Sequence, residues 1–318
     1  MARVFASRRF PARVRAELEQ SFELELHDSE WPPSREELLA RAAGRDGLMT
    51  MLTDRIDDGL LDAAGRQLRV VANYGVGYDN VDLEAVTRRG VIVTNTPDVL
   101  TQATAELTIA LLLALVRRVA EGDRFIRRRE SWIWGPNMML GRGLASLVLG
   151  LVGYGRIGQA VGRLGRAHGM HVIHSSRSGG LSLAELLATA DVVSLHLPLN
   201  AETRHLIDAA ALALMKPAAV LVNTSRGPIV DEAALADALA SGRIAGAALD
   251  VFEREPEVTE GLLGLENVVL VPHLGSATLE TREAMGMLCV EALRAVLLEN
   301  RVPANALNPD AWPGGRPR

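Results

Sequence analysis

Apolar residues fall in short runs separated by stretches with helical spacing, and this alternation recurs along most of the chain. Strand-length runs occur at 48–52, 70–72, 91–94, 147–152, 171–174, 192–196, 220–223, 247–251 and 268–271, and Val4 with Phe5 reads as a first strand. Helical spacing covers 60–64, 103–118, 157–167, 183–188, 232–241 and 281–298. Several strand runs are apolar throughout instead of alternating, as strands buried on both faces of a parallel sheet are. Strands of that kind alternating with helices predict an α/β fold of doubly wound parallel sheets. The 318 residues are enough for two domains of ordinary size.

The strongest local signal is VLGLVGYGRIG, residues 148–158. Gly153 allows a tight turn out of a strand, Gly155 lets the backbone approach a pyrophosphate, and Gly158 lets the following helix pack closely on the sheet. The amides of Arg156 and Ile157, at the start of that helix, face the same phosphates. An apolar run before and an alanine-rich helical pattern after are the context a dinucleotide fingerprint requires. It arrives late, after about a hundred residues with a strand–helix pattern of their own. Two α/β units are therefore expected, the nucleotide unit inserted into the first, with crossings near 97–101 and 272–281. That gives residues 1–98 with 281–318 as one domain, and 99–280 as the inserted dinucleotide-binding domain.

Composition narrows the function classes. The net charge of −5 argues against a nucleic-acid surface. The most apolar run, 107–116, is about half the ~20 residues a membrane span needs, so it reads as a buried or interface helix of a soluble protein. Cys289 is the only cysteine and cannot form an intrachain disulfide, which points to a reducing cytoplasm. The early arginines (Arg3, Arg8, Arg9, Arg13, Arg15) are followed at once by glutamates, which argues against a targeting segment. Lys216 is the only lysine and precedes Pro217, so Schiff-base chemistry is not expected. His171 and His174 would point to opposite faces of one strand, and His168 lies in the preceding turn, so no metal site is expected. The proline-rich stretch 301–318 is expected to end in a disordered tip.

Three stations beyond the fingerprint each place a polar group just after a strand: Arg226 in NTSRGPIVDE, Glu255 in ALDVFEREP and His273 in PHLGSAT. In an open parallel sheet that edge is where ligands bind. Each residue alone would be an ordinary loop residue. Together they suit carbonyl reduction or its reverse. A histidine titrating near neutrality exchanges a proton with the substrate oxygen, a carboxylate beside it stabilises the imidazolium, and an arginine fork holds a substrate carboxylate.

These motifs, with NYGVGYDNVD (73–82), ATAEL (103–107) and HLPL (196–199), occur in the order and spacing of a known family. The chain resembles the D-isomer-specific 2-hydroxyacid dehydrogenases, and within them the glyoxylate/hydroxypyruvate reductases. The resemblance implies a flavodoxin-like substrate domain, an inserted Rossmann-like cofactor domain and a homodimer. It implies Arg226, Glu255 and His273 as the catalytic set. Substrate would be bound by Val76 and Gly77 through their backbone N–H groups, by Arg226 and by Ser276. Around the fingerprint, cofactor contacts would come from Thr104, Leu197, Pro198, Thr203, Thr224, Ser225, Asp250 and His273. Alternatives of the same fold are a 3-phosphoglycerate dehydrogenase and a nucleotide-sensing, corepressor-like interaction protein, which the trio does not exclude. Two departures stand out. Residues 146–148 replace a Gly-Lys-Thr-like turn, with a structural effect expected. Trp132 and Trp134 roughly match a tryptophan segment that in relatives reaches a partner's active site, or else packs a dimer interface.

NAD-preferring sites carry an acidic residue near the end of the second strand. None occurs at 170–180; Ser176, Arg177 and Ser178 stand there instead. Hydroxyls and a guanidinium would hold a 2′-phosphate, so NADPH is the expected cofactor. If Arg177 instead stacks on adenine, NAD would also serve.

Overall fold

In a computed structural model, which describes residues 1–312, the chain forms two compact α/β units. One comprises Met1–Leu100 with the segment from Thr278 onward, the other Thr101–Ala277. The first runs β1 (Arg3–Ala6), α1 (Ala12–Ser21), β2 (Glu23–Leu26), α2 (Arg35–Ala42), β3 (Gly47–Met51), α3 (Asp58–Ala64), β4 (Val70–Tyr74), α4 (Leu83–Arg88) and β5 (Ile92–Thr94). Its sheet is parallel, in the order β2-β1-β3-β4-β5, which is the flavodoxin-like order. β4 is buried along its whole length, its apolar run 70–72 followed by buried Asn73 and Tyr74. β2, at the edge, reads ELEL and keeps no fully buried residue, so its pattern is too weak to mark it. α1 buries only Val14 and Leu18, a stripe too narrow to stand out among its charges. α2 is started by a capping box in which Ser34 and Glu37 satisfy each other's backbone N–H groups.

The second unit runs α5 (Thr101–Val116), α6 (Val119–Arg127), β6 (Val148–Val152), α7 (Arg156–Ala167), β7 (His171–Ser176), β8 (Gly179–Gly180), α8 (Leu183–Thr189), β9 (Val192–Leu195), α9 (Ala209–Leu214), β10 (Val220–Asn223), α10 (Glu232–Ala240), β11 (Gly246–Leu249), α11 (Glu260–Leu263) and β12 (Val268–Leu270). Its sheet order is β12-β11-β10-β9-β6-β7-β8. All pairings are parallel except β7 with β8, where two glycines fold back as a short antiparallel edge. The strand order reverses beside β6, so the chain's switch point lies between β6 and β9, where such sheets bind ligands. One face of this sheet buries Leu195, Leu221, Leu235 and Leu249 together. The other buries Leu149 and Leu151 against Ile109, Leu111 and Leu112 of α5. The apolar 107–116 run is thus largely spent inside its own unit. No helix among the described residues is long and apolar enough to cross a membrane.

Two features at the amino ends of these strands answer questions the sequence raised. Ser146 takes the left-handed region (φ 71°) just before β6, a conformation that suits glycine and costs other residues roughly 1–2 kcal/mol. Lys216 is paired with Asp191 at 3.0 Å, and the other oxygen of Asp191 accepts the Val148 N–H at 2.8 Å. The sole lysine therefore pins a strand end.

The chain returns through α12 (Leu279–Leu297) to the first unit. Beyond it the proline-rich stretch is ordered as far as it is described. Asn308 accepts the Val93 N–H at 2.8 Å and donates to Val91 O and Thr87 Oγ1. The tip expected to be disordered, 313–318, lies outside the described residues.

α12 crosses α1 at Gly286, where a Cβ would stand 2.3 Å from a methyl of buried Val14. Alanine normally gains about 1 kcal/mol over glycine inside a helix. Here overpacking, about 1–3 kcal/mol, wins. Gly286→Ala is expected to lower Tm by several degrees, and adding Val14→Ala should recover part of the loss. Thermal melts of the two single variants and the pair check this; additive losses would contradict it.

Candidate active site

The glycine turn after β6 is fixed by lack of room. Gly153 has φ 94°, and a Cβ there would lie 2.3 Å from His196 O at the end of β9. A Cβ on Gly158 would lie 2.3 Å from Gly153 O. Gly155 differs, because nothing stands within 4 Å of where its Cβ would be. Two glycines therefore close the strand–helix turn, and the third opens a space at the N-terminus of α7, where Arg156 and Ile157 begin the first turn. That is the shape a phosphate requires at a helix start.

The loops at the carboxyl ends of β9 to β12 carry the remaining candidates. After β9, Thr203 Oγ1 donates to Pro198 O at 2.7 Å and accepts the Asn200 N–H, closing the turn that follows Leu197. After β10, Ser225 Oγ donates to Leu195 O at 2.6 Å, and Arg226 Nη1 to Ser225 O at 2.8 Å. Asn223 braces this turn from both sides, donating to Arg226 O and accepting the Ser225 N–H. Thr224 Oγ1 meets Thr108 Oγ1 at 2.9 Å, and Thr104 Oγ1 donates to Gly275 O at 3.1 Å. Thr108 and Asn223 were not among the expected site residues. The signal for Asn223 was its place in the NTSRG motif, and for Thr108 its position four after Thr104.

After β11 and β12 the catalytic candidates meet. Glu255 Oε2 lies 2.9 Å from His273 Nδ1, while its Oε1 accepts the Phe252 N–H at 3.1 Å. His273 is in the left-handed region (φ 53°), held there by its N–H donated to Asp250 O at 2.8 Å. The buried Asp250 carboxylate accepts the N–H groups of Leu274 and Gly275. Burial works against ionising Glu255, but His273, the Phe252 N–H and the Arg226 charge together outweigh it and hold the carboxyl below its ordinary range. Asp250 goes the other way: burial pushes it up, against the pull of Leu274, His273 and Gly275. His196, 3.0 Å from Ser194 Oγ, is pushed down to about 3 by burial and stays neutral.

Other expected residues lie further out. Ser176 ends β7, its hydroxyl 3.1 Å from Ser178 Oγ and donated to Gly179 O. Arg177 is 3.8 Å from Glu202, both side chains largely exposed. Ser276 follows His273 in the turn before Thr278. Val76 and Gly77 belong to the first unit, in the loop after β4, where Asn95 and Asn73 donate to their carbonyls. Trp132, Ile133 and Trp134 are exposed. Among the described residues no group of three or more His, Cys, Asp or Glu is placed to hold a metal. A cavity of about 420 Å³, lined by Leu115, Arg118, Leu140 and Val268, lies at the amino edge of the second sheet and contains none of the site residues.

A family model for the D-isomer specific 2-hydroxyacid dehydrogenase NAD binding domain matches residues 109–275, which include the glycine turn and the Arg226–Glu255–His273 set. The chain is 49% identical to a glyoxylate reductase of Aeropyrum pernix over 96% of each chain. It is 45% identical to a glyoxylate reductase of Thermococcus litoralis over 99% of each. Among solved structures, a Thermus thermophilus protein matches with TM-score 0.91 at 47% identity, covering 96% of this chain and 99% of that one. The NADPH-dependent glyoxylate/hydroxypyruvate reductase of Sinorhizobium meliloti, solved with NADP and malonate, matches with TM-score 0.85 at 34% identity, covering 100% of this chain and 99% of that one. With two parallel sheets, the glycine turn at the switch point and these matches, the chain is an oxidoreductase that belongs to the D-isomer specific 2-hydroxyacid dehydrogenase family.

Proposed function

We propose that this protein reduces small 2-oxo acids, glyoxylate and hydroxypyruvate foremost, to D-2-hydroxy acids with NADPH as the preferred donor. The observation that carries this reading is the 2.9 Å contact of His273 with Glu255 at the carboxyl edge of the sheet that holds the glycine turn. The glyoxylate reductases among its relatives support the substrate class. The open space at Gly155, beside two glycines that admit no side chain, fits a dinucleotide pyrophosphate. Thr104, Leu197, Pro198, Thr203, Thr224, Ser225 and Asp250 are assigned to holding the rest of it.

When bound, the nicotinamide supplies the hydride. With Nδ1 engaged by Glu255, His273 has Nε2 to give a proton to the substrate oxygen as it gains charge. Glu255 stabilises the imidazolium and fixes the ring. Arg226 offers paired N–H donors to the substrate carboxylate and carbonyl. The Val76 and Gly77 N–H groups and the Ser276 hydroxyl are assigned to the same carboxylate.

For the cofactor, the support lies at the end of β7. An exposed pair such as Arg177–Glu202 is held weakly, so the guanidinium is available to a 2′-phosphate beside two serine hydroxyls. A homodimer is part of the reading, since Val119, Ile126, Trp132, Ile133, Trp134 and Leu140 expose apolar surface along one segment. The dimer face is also the assignment for Trp132 and Trp134. Burial of Cys289 raises its thiol pKa, leaving an inert cysteine, in keeping with a cytoplasmic protein.

Initial rates of NADPH and NADH oxidation with glyoxylate, hydroxypyruvate and pyruvate test the proposal directly. Fast NADPH loss with the first two is expected; absence of turnover with any of them would refute the reading. Arg177→Asp should reduce kcat/KM with NADPH on the order of tenfold or more while changing NADH use little, and equal losses would sink the cofactor assignment. A third expectation concerns pH. Because the Glu255 carboxyl is held below its ordinary range, its charge persists down through the usual carboxylate range and is lost only as pH falls through the lowered value. Glu255→Gln removes that charge at every pH. It should lower kcat/KM on the order of a hundredfold and remove the acid fall that wild type shows as Glu255 loses its charge; a variant that keeps the wild-type acid fall would count against the pair.

A further inference from the structure

A second histidine–glutamate pair lies behind the first. His205 Nε2 is 2.7 Å from Glu253 Oε1, and Arg204 Nη2 reaches the same oxygen at 3.2 Å. The Glu253 side chain is mostly buried. Its backbone is fastened as well. The Glu253 N–H is donated to Glu232, a buried carboxylate at the start of α10 that also accepts Thr259 Oγ1 at 2.6 Å. The peptide before Glu253 lies directly on Gly227, where a Cβ would come within 1.9 Å of Phe252 C and O.

These contacts join the loops after β9, β10 and β11. His205 itself is in the left-handed region (φ 50°) and donates its N–H to Pro228 O at 2.8 Å. Two residues on, Ile207 pairs with the segment after Gly227 through N–H bonds in both directions. His205 therefore rides on the chain that carries Arg226, while its side chain grips the chain that carries Glu255. From Glu253 the connection to the reacting pair is short, because the Phe252 N–H holds Glu255 Oε1 and Glu255 Oε2 holds His273. Neither His205 nor Glu253 lies among the residues assigned to substrate or cofactor.

We infer that His205 and Glu253 form a positioning pair that holds the Phe252–Glu255 turn, so that Glu255 stays aimed at His273. The inference rests on the reductase reading above. A positioning role predicts a loss in the chemical step with little loss in binding, because a misplaced acid–base pair slows transfer while the binding groups stay where they were.

The experiment compares wild type with His205→Ala, His205→Gln and Glu253→Gln, measuring kcat, KM for glyoxylate and NADPH, Tm, and the primary isotope effect with 4-deuterated NADPH. His205→Ala is expected to lower kcat about tenfold, leave both KM values within about twofold, and raise the isotope effect. His205→Gln, whose amide N–H can stand in for Nε2, should recover most of kcat. If His205→Ala does not fold, Glu253→Gln keeps the shape, loses the charge and is read in the same way. A lower Tm with unchanged kcat and isotope effect would overturn the inference, as would His205→Gln failing like alanine. Wild type without turnover is a distinct failure, that of the reductase reading. A crystal structure of His205→Ala decides the geometry in either case, since an undisturbed 2.9 Å Glu255–His273 contact would overturn the positioning role.

Discussion

The site depends on a place where two backbones touch. At Gly227 there is no room for any side chain, because the Phe252–Glu253 peptide occupies the position a Cβ would take. That contact sets the loop carrying Arg226 directly on the loop carrying Glu255. Interiors pack too densely to absorb a misplaced methyl group at such a point. The same device recurs one strand over, where Gly153 lies on His196 O and Gly158 on Gly153 O. Chemistry at the strand ends thus rests on main chain packed against main chain, which holds position better than long side chains would.

Much of this was legible before any coordinates. Fingerprint, trio and the alternation of strands with helices follow from apolar runs, glycine spacing and polar residues placed just after strands. Buried central strands such as β4 and β9 read clearly because most positions on both of their faces are apolar. What stayed hidden is at the margins, and for physical reasons. β2 is a half-exposed edge strand, and β8 is two glycines with no pattern to read. α6 buries none of its residues, so its own unit imposes no stripe on it that would mark a core.

The hidden part of the site has a different cause. Sequence spacing singles out groups that follow strands, and so names Arg226, Glu255 and His273 as candidates. It carries no sign of which loop residues reach across to one another. His205 and Glu253 stand 48 positions apart and meet only because β9 and β11 flank β10 in one sheet. Asn223 is different: its role is local, bracing the turn it begins, and a strand-ending asparagine before a tight turn is a readable cue.

Around His273 two carboxyl groups are driven in opposite directions by their surroundings. Glu255 keeps a partly exposed position, and its hydrogen bonds and neighbouring cations favour the charged form strongly enough to overcome burial. Asp250 is deeply buried, and burial, with the neighbouring Glu255 charge, prevails over its backbone N–H donors and His273. Separating two carboxyls in this way is how one fold assigns them different tasks. Glu255 meets the imidazole at 2.9 Å. Asp250 supplies shape, fixing the turn from His273 to Gly275 and, through its carbonyl, the strained backbone of His273 itself. The imidazole is therefore oriented from its ring by one carboxyl group and from its main chain by the residue bearing the other, which makes its direction a property of the sheet edge rather than of a single contact.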